Sequence, residues 1–385
     1  MPFIGNKPSA VPLTSADITD GIIVNADISS TAGITLNKLS GNPNFRNRII
    51  NGDMTIDQRN AGASGTGNLY TVDRFQYYGS QATKATWQQN AGAITPPTDF
   101  NNYLGLTSSS SYSILSTDQF LIKQNIEGLN VTDLNWGTAN AKTVTLSFYV
   151  RSSLTGTFGG ALANSSSNRN YPFSYSISTS NTWEKKTITI TGDTTGTWLK
   201  TNGIGISVIF SLGTGSTYSA TAGAWTASSF ITSVTGATSV VGTNGATFYI
   251  TGVQLEAGTS ATDFEFLPID VNLGRCQRYF QKIDATGGNS VISVLQVFSG
   301  TQAIGTIPTL IELRANPTLS TTGSFNVWTT TASSSALGTI ALYSSTKTQQ
   351  GISFTATSGS TLTAGNAGGL HSAAGSSSIL LSAEL

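Results

Sequence analysis

Apolar residues in this chain recur mostly at every second position, the spacing of strands with one buried face. The cleanest case is Val144, Leu146, Phe148 and Val150, alternating with Thr145, Ser147 and Tyr149. The segments 186–191 and 204–210 keep the same period. Strands are therefore predicted over 49–56, 74–78, 84–89, 103–107, 113–124, 142–151, 171–177, 184–191, 203–212 and 246–255. Gly, Asn, Ser and Thr fill the spaces between them, the pattern of an antiparallel sandwich or jelly roll. Helices of ten residues do not alternate with these strands, so a parallel α/β sheet is excluded.

The stretch 245–281 organises the rest. Phe248, Ile250, Val253 and Leu255 form a strand around Gly252, which permits a bulge. Phe264, Phe266 and Leu267 return as a second apolar set before Pro268. Asp270 then reads as an N-cap, with Val271, Leu273, Cys276, Tyr279 and Phe280 near helical spacing. Three units follow: an extended segment 1–41, a jelly-roll sandwich 42–268, and a short helix with a smaller C-terminal β-domain 269–385. Strands of the last unit are predicted over 290–298, 301–307, 318–320, 324–329, 338–343, 351–357 and 378–384, with 358–377 as a loop. The fold class is all-β. In the first unit Ala-Asp-Ile stands at 16–18 and again at 26–28. Such a segment cannot bury its Ile and Leu alone, so it reads as an inter-chain stalk or docking arm, with a flexible leader as the alternative.

Charge changes the picture by its scarcity. Only 10% of residues are charged, 19 basic against 19 acidic, where about 25% is usual. No basic stripe is present, which argues against nucleic acid. One cysteine, Cys276, excludes an intramolecular disulfide framework; on the apolar stripe of its helix it reads as a small buried hydrophobe. The opening residues lack an ordinary secretion signal, and no apolar run of about 18 residues suggests membrane insertion.

Candidate chemistry is thin. His371, the single histidine, lies among Gly, Leu, Ser and Ala with no nearby carboxylate to orient it, so neither a Ser-His-Asp triad nor a zinc site is indicated. A glycosidase needs two carboxylates across the scissile bond. Glu127, Glu184, Glu256, Glu265, Glu312 and Glu384 are available, and Glu256 and Glu265 are the closest pair; both read as structural. Asp53, Asp57 and Asp73 offer oxygens for calcium but no compact cluster, and Asp73 beside Arg74 reads as local ion pairing or turn formation. No metal, cofactor or catalytic residue is expected. Trp87, Trp183, Phe148 and Phe210 read as core or strand-edge packing. Trp136, Trp198, Tyr218, Trp225 and Trp328 occur in or beside polar, Gly-rich segments. A sugar ring stacks on an exposed aromatic face while neighbouring amides and hydroxyls bind its edges; burial of the same rings in subunit contacts is the competing reading.

The motif 45–60, beginning Phe45-Arg46-Asn47-Arg48 and running to Gln58-Arg59-Asn60, with Tyr70–Phe75 after it, resembles a family of bacteriophage tail-fibre and virion structural proteins. The resemblance continues in 192–198, 212–218, 221–225, 248–258 and 314–319, and in Cys276-Gln277-Arg278-Tyr279-Phe280-Gln281-Lys282, which opens the C-terminal β-domain in that family. It implies a trimeric tail fibre or tail-tip component with a jelly-roll module like those of carbohydrate-binding proteins. The expectation is a non-enzymatic homotrimer, assembled in the host cytoplasm and located in the virion tail. It would dock on other phage tail proteins through its N-terminal segment and present its β-domains to a host-surface glycan. A structural tail or neck component that never touches the host is the alternative, and a glycan depolymerase is a third.

Overall fold

Two six-stranded antiparallel sheets share one core. In the first, strands run in the order Gly65–Thr66, Ala85–Gln89, Leu104–Ser108, Thr247–Ala257, Val144–Ser152, Glu184–Ile190. In the second the order is Tyr70–Val72, Phe75–Gly79, Gln119–Glu127, Ile204–Thr214, Gly156–Ala163, Asn170–Ile177. This computed structural model describes residues 45–286, 290–329, 336–357, 362–373 and 376–385. The predicted stalk or docking arm, residues 1–41, lies outside the described residues.

The alternation read from the sequence places Val144, Leu146, Phe148 and Val150 in the core, each fully buried. Gly252 lies at a positive φ of 61° where the pairing of Thr247–Ala257 with Val144–Ser152 shifts register, so the expected bulge is present.

Several elements differ from expectation, each for a local reason. Residues 49–56 form turns rather than a strand. The Asn51 side chain bonds the backbone of Ile56 in both directions and accepts no ladder, while Ile49 and Met54 still fill the core. The strand predicted from residue 113 begins at Gln119, because Asp118 folds the preceding loop by accepting from Leu115 N and Tyr112 Oη. Gly156–Ala163 was not expected as a strand. Its Gly160 is required by crowding, since a Cβ there would stand 2.3 Å from Ile209 O and 2.4 Å from the Phe173 ring. The helix is Ile269–Gln277, preceded by Pro268 without a side-chain cap, so Asp270 sits inside the first turn and complements the helix dipole instead of capping it. Phe264 and Phe266 do not form a strand; Phe264 packs edge-on with Phe100, and Phe266 meets the same ring at a tilt.

Beyond the helix a closed barrel is formed in the order Val291–Val297, Gln302–Pro308, Gln349–Ala356, Ala336–Ser345, Phe325–Thr329, Ala367–Ser372. A three-stranded sheet of Phe280–Thr286, Ser376–Ser382 and Thr318–Thr322 shares its core through Ile379 and Leu381. Ala367–Ser372 lies within the stretch expected to be a loop: its glycines hide the period, but Leu370 fills the barrel. A small third cluster of Ile50, Ile56, Cys276 and Tyr279, flanked by Leu273 and Leu385, joins sandwich to helix.

Candidate functional site

The five aromatic residues singled out in the sequence fall into three places. Trp136, Trp198 and Trp225 form one box with Tyr171. Ring centroids lie 4.7 Å apart for Trp136–Trp198 and 5.3 Å for Trp136–Trp225, Trp198–Trp225 and Tyr171–Trp225, all edge-on. Trp136 follows the short 3-10 helix Gly128–Leu134, and Trp198 follows the strand Glu184–Ile190. Trp225 arrives on a long excursion between Ile204–Thr214 and Thr247–Ala257. Each indole N–H donates to a backbone carbonyl: Trp136 to Lys142 at 2.8 Å, Trp198 to Thr195 at 3.1 Å and Trp225 to Thr191 at 2.7 Å. A bidentate Arg169–Asp193 pair, 2.7 Å on both arms, ties the same loops. Trp136 and Trp198 are buried within one copy of the chain. Their burial requires no subunit contact.

Tyr218 ends a short 3-10 turn on the same excursion, half-buried, and its carbonyl accepts from Thr232 N at 2.9 Å. Among the described residues it makes no ring pair with the box.

Trp328 is different. It lies on the outside of the barrel and is 52% exposed, while its strand neighbours Phe325, Val327 and Thr329 turn inward. Strand register aligns Val294, Gly369 and Trp328 in one row across three strands. A glycine in the middle leaves no side chain beside the indole on that strand. The next row holds Val291, His371, Asn326 and Leu337. Val291 leans over Gly369, with a methyl 3.3 Å from where a Cβ would stand. The Asn326 amide oxygen is buried and makes no hydrogen bond among the described residues, and the His371 ring uses Nδ1 on Ser372 O at 2.8 Å. A flat apolar ring beside a glycine gap suits stacking of a sugar's C–H face.

The acidic groups have structural partners. Glu256 is buried and accepts from Gln254 Nε2, Thr262 N and Thr262 Oγ1, with Arg46 3.6 Å away. Glu265 accepts from Asn47 N at 2.9 Å. Asp53 accepts from Thr55 and Asn272, and Asp57 from the backbone of Asn60 and Gly62. Asp73 and Arg74 form the turn between Tyr70–Val72 and Phe75–Gly79 and do not pair with each other. Asp73 faces Gln58 and Arg59, and burial still holds its carboxyl above the usual range. Among the described residues no group of three or more His, Cys, Asp or Glu is placed to hold a metal. The cleft lined by Asn47, Asn51, Asp53, Glu265, Asn272 and Arg275 offers ≈ 10 Å³, room for about one water and not a sugar ring.

The ionic junction between sandwich and helix was not foreseen, because its members lie far apart in sequence. Glu127 receives Arg278 at 2.9 and 2.7 Å and Tyr279 Oη at 2.8 Å. Arg74, fully buried, pairs with Glu384 and covers the Tyr279 ring at 3.6 Å. Arg59 reaches Glu384 at 2.9 Å and lies 3.7 Å over the Phe280 ring. The motif resemblance around 45–75 and 276–282 marks both sides of this junction, and was the one signal for it.

No protein-family model and no curated protein matches the sequence. Among solved structures, part of the chain is similar to the enzymatically active domain of bacteriophage CBA120 tailspike protein 4, with TM-score 0.32 and 10% identity over 55% of this chain. The aligned part spans 22% of that tailspike domain's chain. It is also similar to the carbohydrate-binding module TmCBM61 solved with β-1,4-galactotriose (TM-score 0.29, 10% identity, 55% of this chain and 99% of that one). A family 11 carbohydrate-binding module of Clostridium thermocellum aligns with TM-score 0.28 and 10% identity over 51% of this chain and 98% of that one.

Proposed function

We propose that this chain is a bacteriophage tail fibre protein that attaches the virion to a host-surface glycan without cleaving it, as a homotrimer in the virion tail. The observation that carries the reading is the Trp328 surface: a half-exposed indole beside Gly369 and Asn326 on an otherwise closed barrel. The tail-fibre-like motifs, low charge and hydroxyl-rich surface support it. In this reading 1–41 docks on other tail proteins, 42–268 is the sandwich, and 269–385 presents the sugar site. Each site would be weak, and avidity would come from three copies per fibre.

A structural role in the tail, holding other virion proteins without touching the host, is the second reading. Exposed Val291, Val294, Phe298, Leu337 and Tyr343 on the barrel favour it, since apolar surface of this kind also suits protein partners. Adsorption blocking by the purified chain separates the two. Wild-type protein should compete with phage for host cells and bind a glycan array, and Trp328→Ala should do neither. Absence of both effects in the wild type overturns attachment and leaves the structural role.

A further inference from the structure

The outer face of the second sandwich sheet carries polar side chains, some of them paired with one another or with the chain, as Ser207 donates to Asn125 Oδ1 at 2.7 Å. Strand register places Gln76 and Ile209 on either side of Lys123, Tyr78 and Ser211 on either side of Leu121, and Ser207 beside Asn125. Their alternates Phe120, Ile122 and Phe210 face the core, so these residues face away from it. One end of the face is closed, where Asn125 Nδ2 donates to Leu385 O at 3.1 Å and Glu127 holds Arg278. On the far side the excursion lies close, with Ser233 Oγ 2.5 Å from where a Gly159 Cβ would stand. Between them Leu121, Ile209 and Ala163, all three buried, form a small apolar cluster separate from both cores.

Gln76, Tyr78 and Lys123 stand beside this cluster on adjacent strands, with paired positions about 5 Å apart. Among the described residues none of the three side chains makes a hydrogen bond or ion pair. Lys123 is half-buried, and desolvation lowers its pKa with no acid to counter it. Its cross-strand and diagonal neighbours are Gln76, Tyr78, Ile209, Ser207 and Ser211, none of them acidic. Glu127, the carboxylate of the same strand, is already spent on Arg278 and Tyr279. A partly desolvated cation beside a free amide and a ring that is 38% exposed is an anion site in search of its counter-charge.

We propose that this face binds the carboxylate of an acidic sugar of the uronic-acid class. Lys123 pairs with the carboxylate, Gln76 donates to its second oxygen, and Tyr78 flanks the ring. The proposal rests on the attachment reading but names a surface distinct from Trp328.

The test is binding of tetragalacturonate and neutral galactotetraose to the whole chain by calorimetry, with reductive methylation of Lys123 followed by mass spectrometry. Tetragalacturonate should bind, weaken as salt rises, and slow methylation of Lys123, while galactotetraose leaves that rate unchanged. Lys123→Met should lose at least tenfold in tetragalacturonate affinity and Lys123→Arg should keep most of it. If Lys123→Met misfolds, protection of wild-type Lys123 from methylation decides the matter. Unchanged methylation, or no tetragalacturonate binding, overturns the proposal; so does inorganic phosphate displacing the sugar at equal concentration. A chain that fails adsorption blocking yet binds tetragalacturonate through Lys123 loses the attachment reading and keeps this site.

Discussion

Arg74, in the hairpin that opens the second sandwich sheet, is paired with Glu384, one residue before the end of the described chain, and both are buried. The Arg74 guanidinium also donates to Asn125 O at 2.6 Å, and Arg59 occupies the other Glu384 oxygen. Removing one partner of a buried pair strands the other charge, at about 3–5 kcal/mol. Glu384→Ala is therefore expected to cost that much in denaturant unfolding. Arg74→Met, which removes the charge and keeps much of the packing over Tyr279, should cost less when made together with Glu384→Leu than either change alone.

The two kinds of tryptophan should separate in one experiment. Trp198→Ala empties part of the aromatic box and is expected to lose about 3–5 kcal/mol of stability. Trp328→Ala removes an exposed ring and should shift stability by no more than about 0.5 kcal/mol. Equal loss in both variants would show that the barrel exterior is structurally essential.

Stability should fall in acid. Burial pushes Glu127 upward, but hydrogen bonds from Arg278 and Tyr279 outweigh it and leave the carboxyl below its ordinary 4.5. Asp193 behaves the same way through Arg169, below its ordinary 3.8. A depressed folded pKa contributes stability that is complete above the ordinary value and disappears as pH drops through the folded one. Unfolding free energy should therefore decline below about pH 4.5, and Glu127→Gln should flatten that decline when measured across pH 3 to 7 (a range of roughly four units around these ordinary carboxylate values).

Cys276 should be silent in the native protein. Burial pushes its thiol well above the ordinary range, and Ile50, Ile56 and Tyr279 enclose it. Iodoacetamide at neutral pH is expected to leave it unmodified until denaturant is added, as read by intact mass. Rapid alkylation without denaturant would mean that the junction opens.

Gly160 tests the crowding between adjacent strands. Gly160→Val drives a side chain into Ile209 O and the Phe173 ring, and a cost of about 1–3 kcal/mol is expected from thermal melts.

Strands with a clean two-residue period, such as Val144–Ser152, were legible because each inward position carries a large apolar side chain. Gly156–Ala163 and Ala367–Ser372 were not, because close neighbours forced glycine into the positions that would have carried the signal. Residues 49–56 misled for the opposite reason: Ile49 and Met54 are core residues held by an Asn51 turn, so apolar alternation occurs there without a ladder. Of the site, composition separated Trp328 from its surroundings no better than Trp136, since both lie in polar stretches. Long-range packing alone buries one and exposes the other. Lys123 gave no signal at all, because what distinguishes it is the lack of an acid on strands far away in sequence.

The pairing of Arg59 and Arg74 with Glu384 also sets an order of events. A ribosome makes Arg59 and Arg74 more than three hundred residues before Glu384, so both cations must wait for the anion that pairs with them. Until then that corner of the sandwich stays wet and unsettled. A polypeptide that stops short of Glu384 is unable to close there, and that corner is where a protease would cut it first.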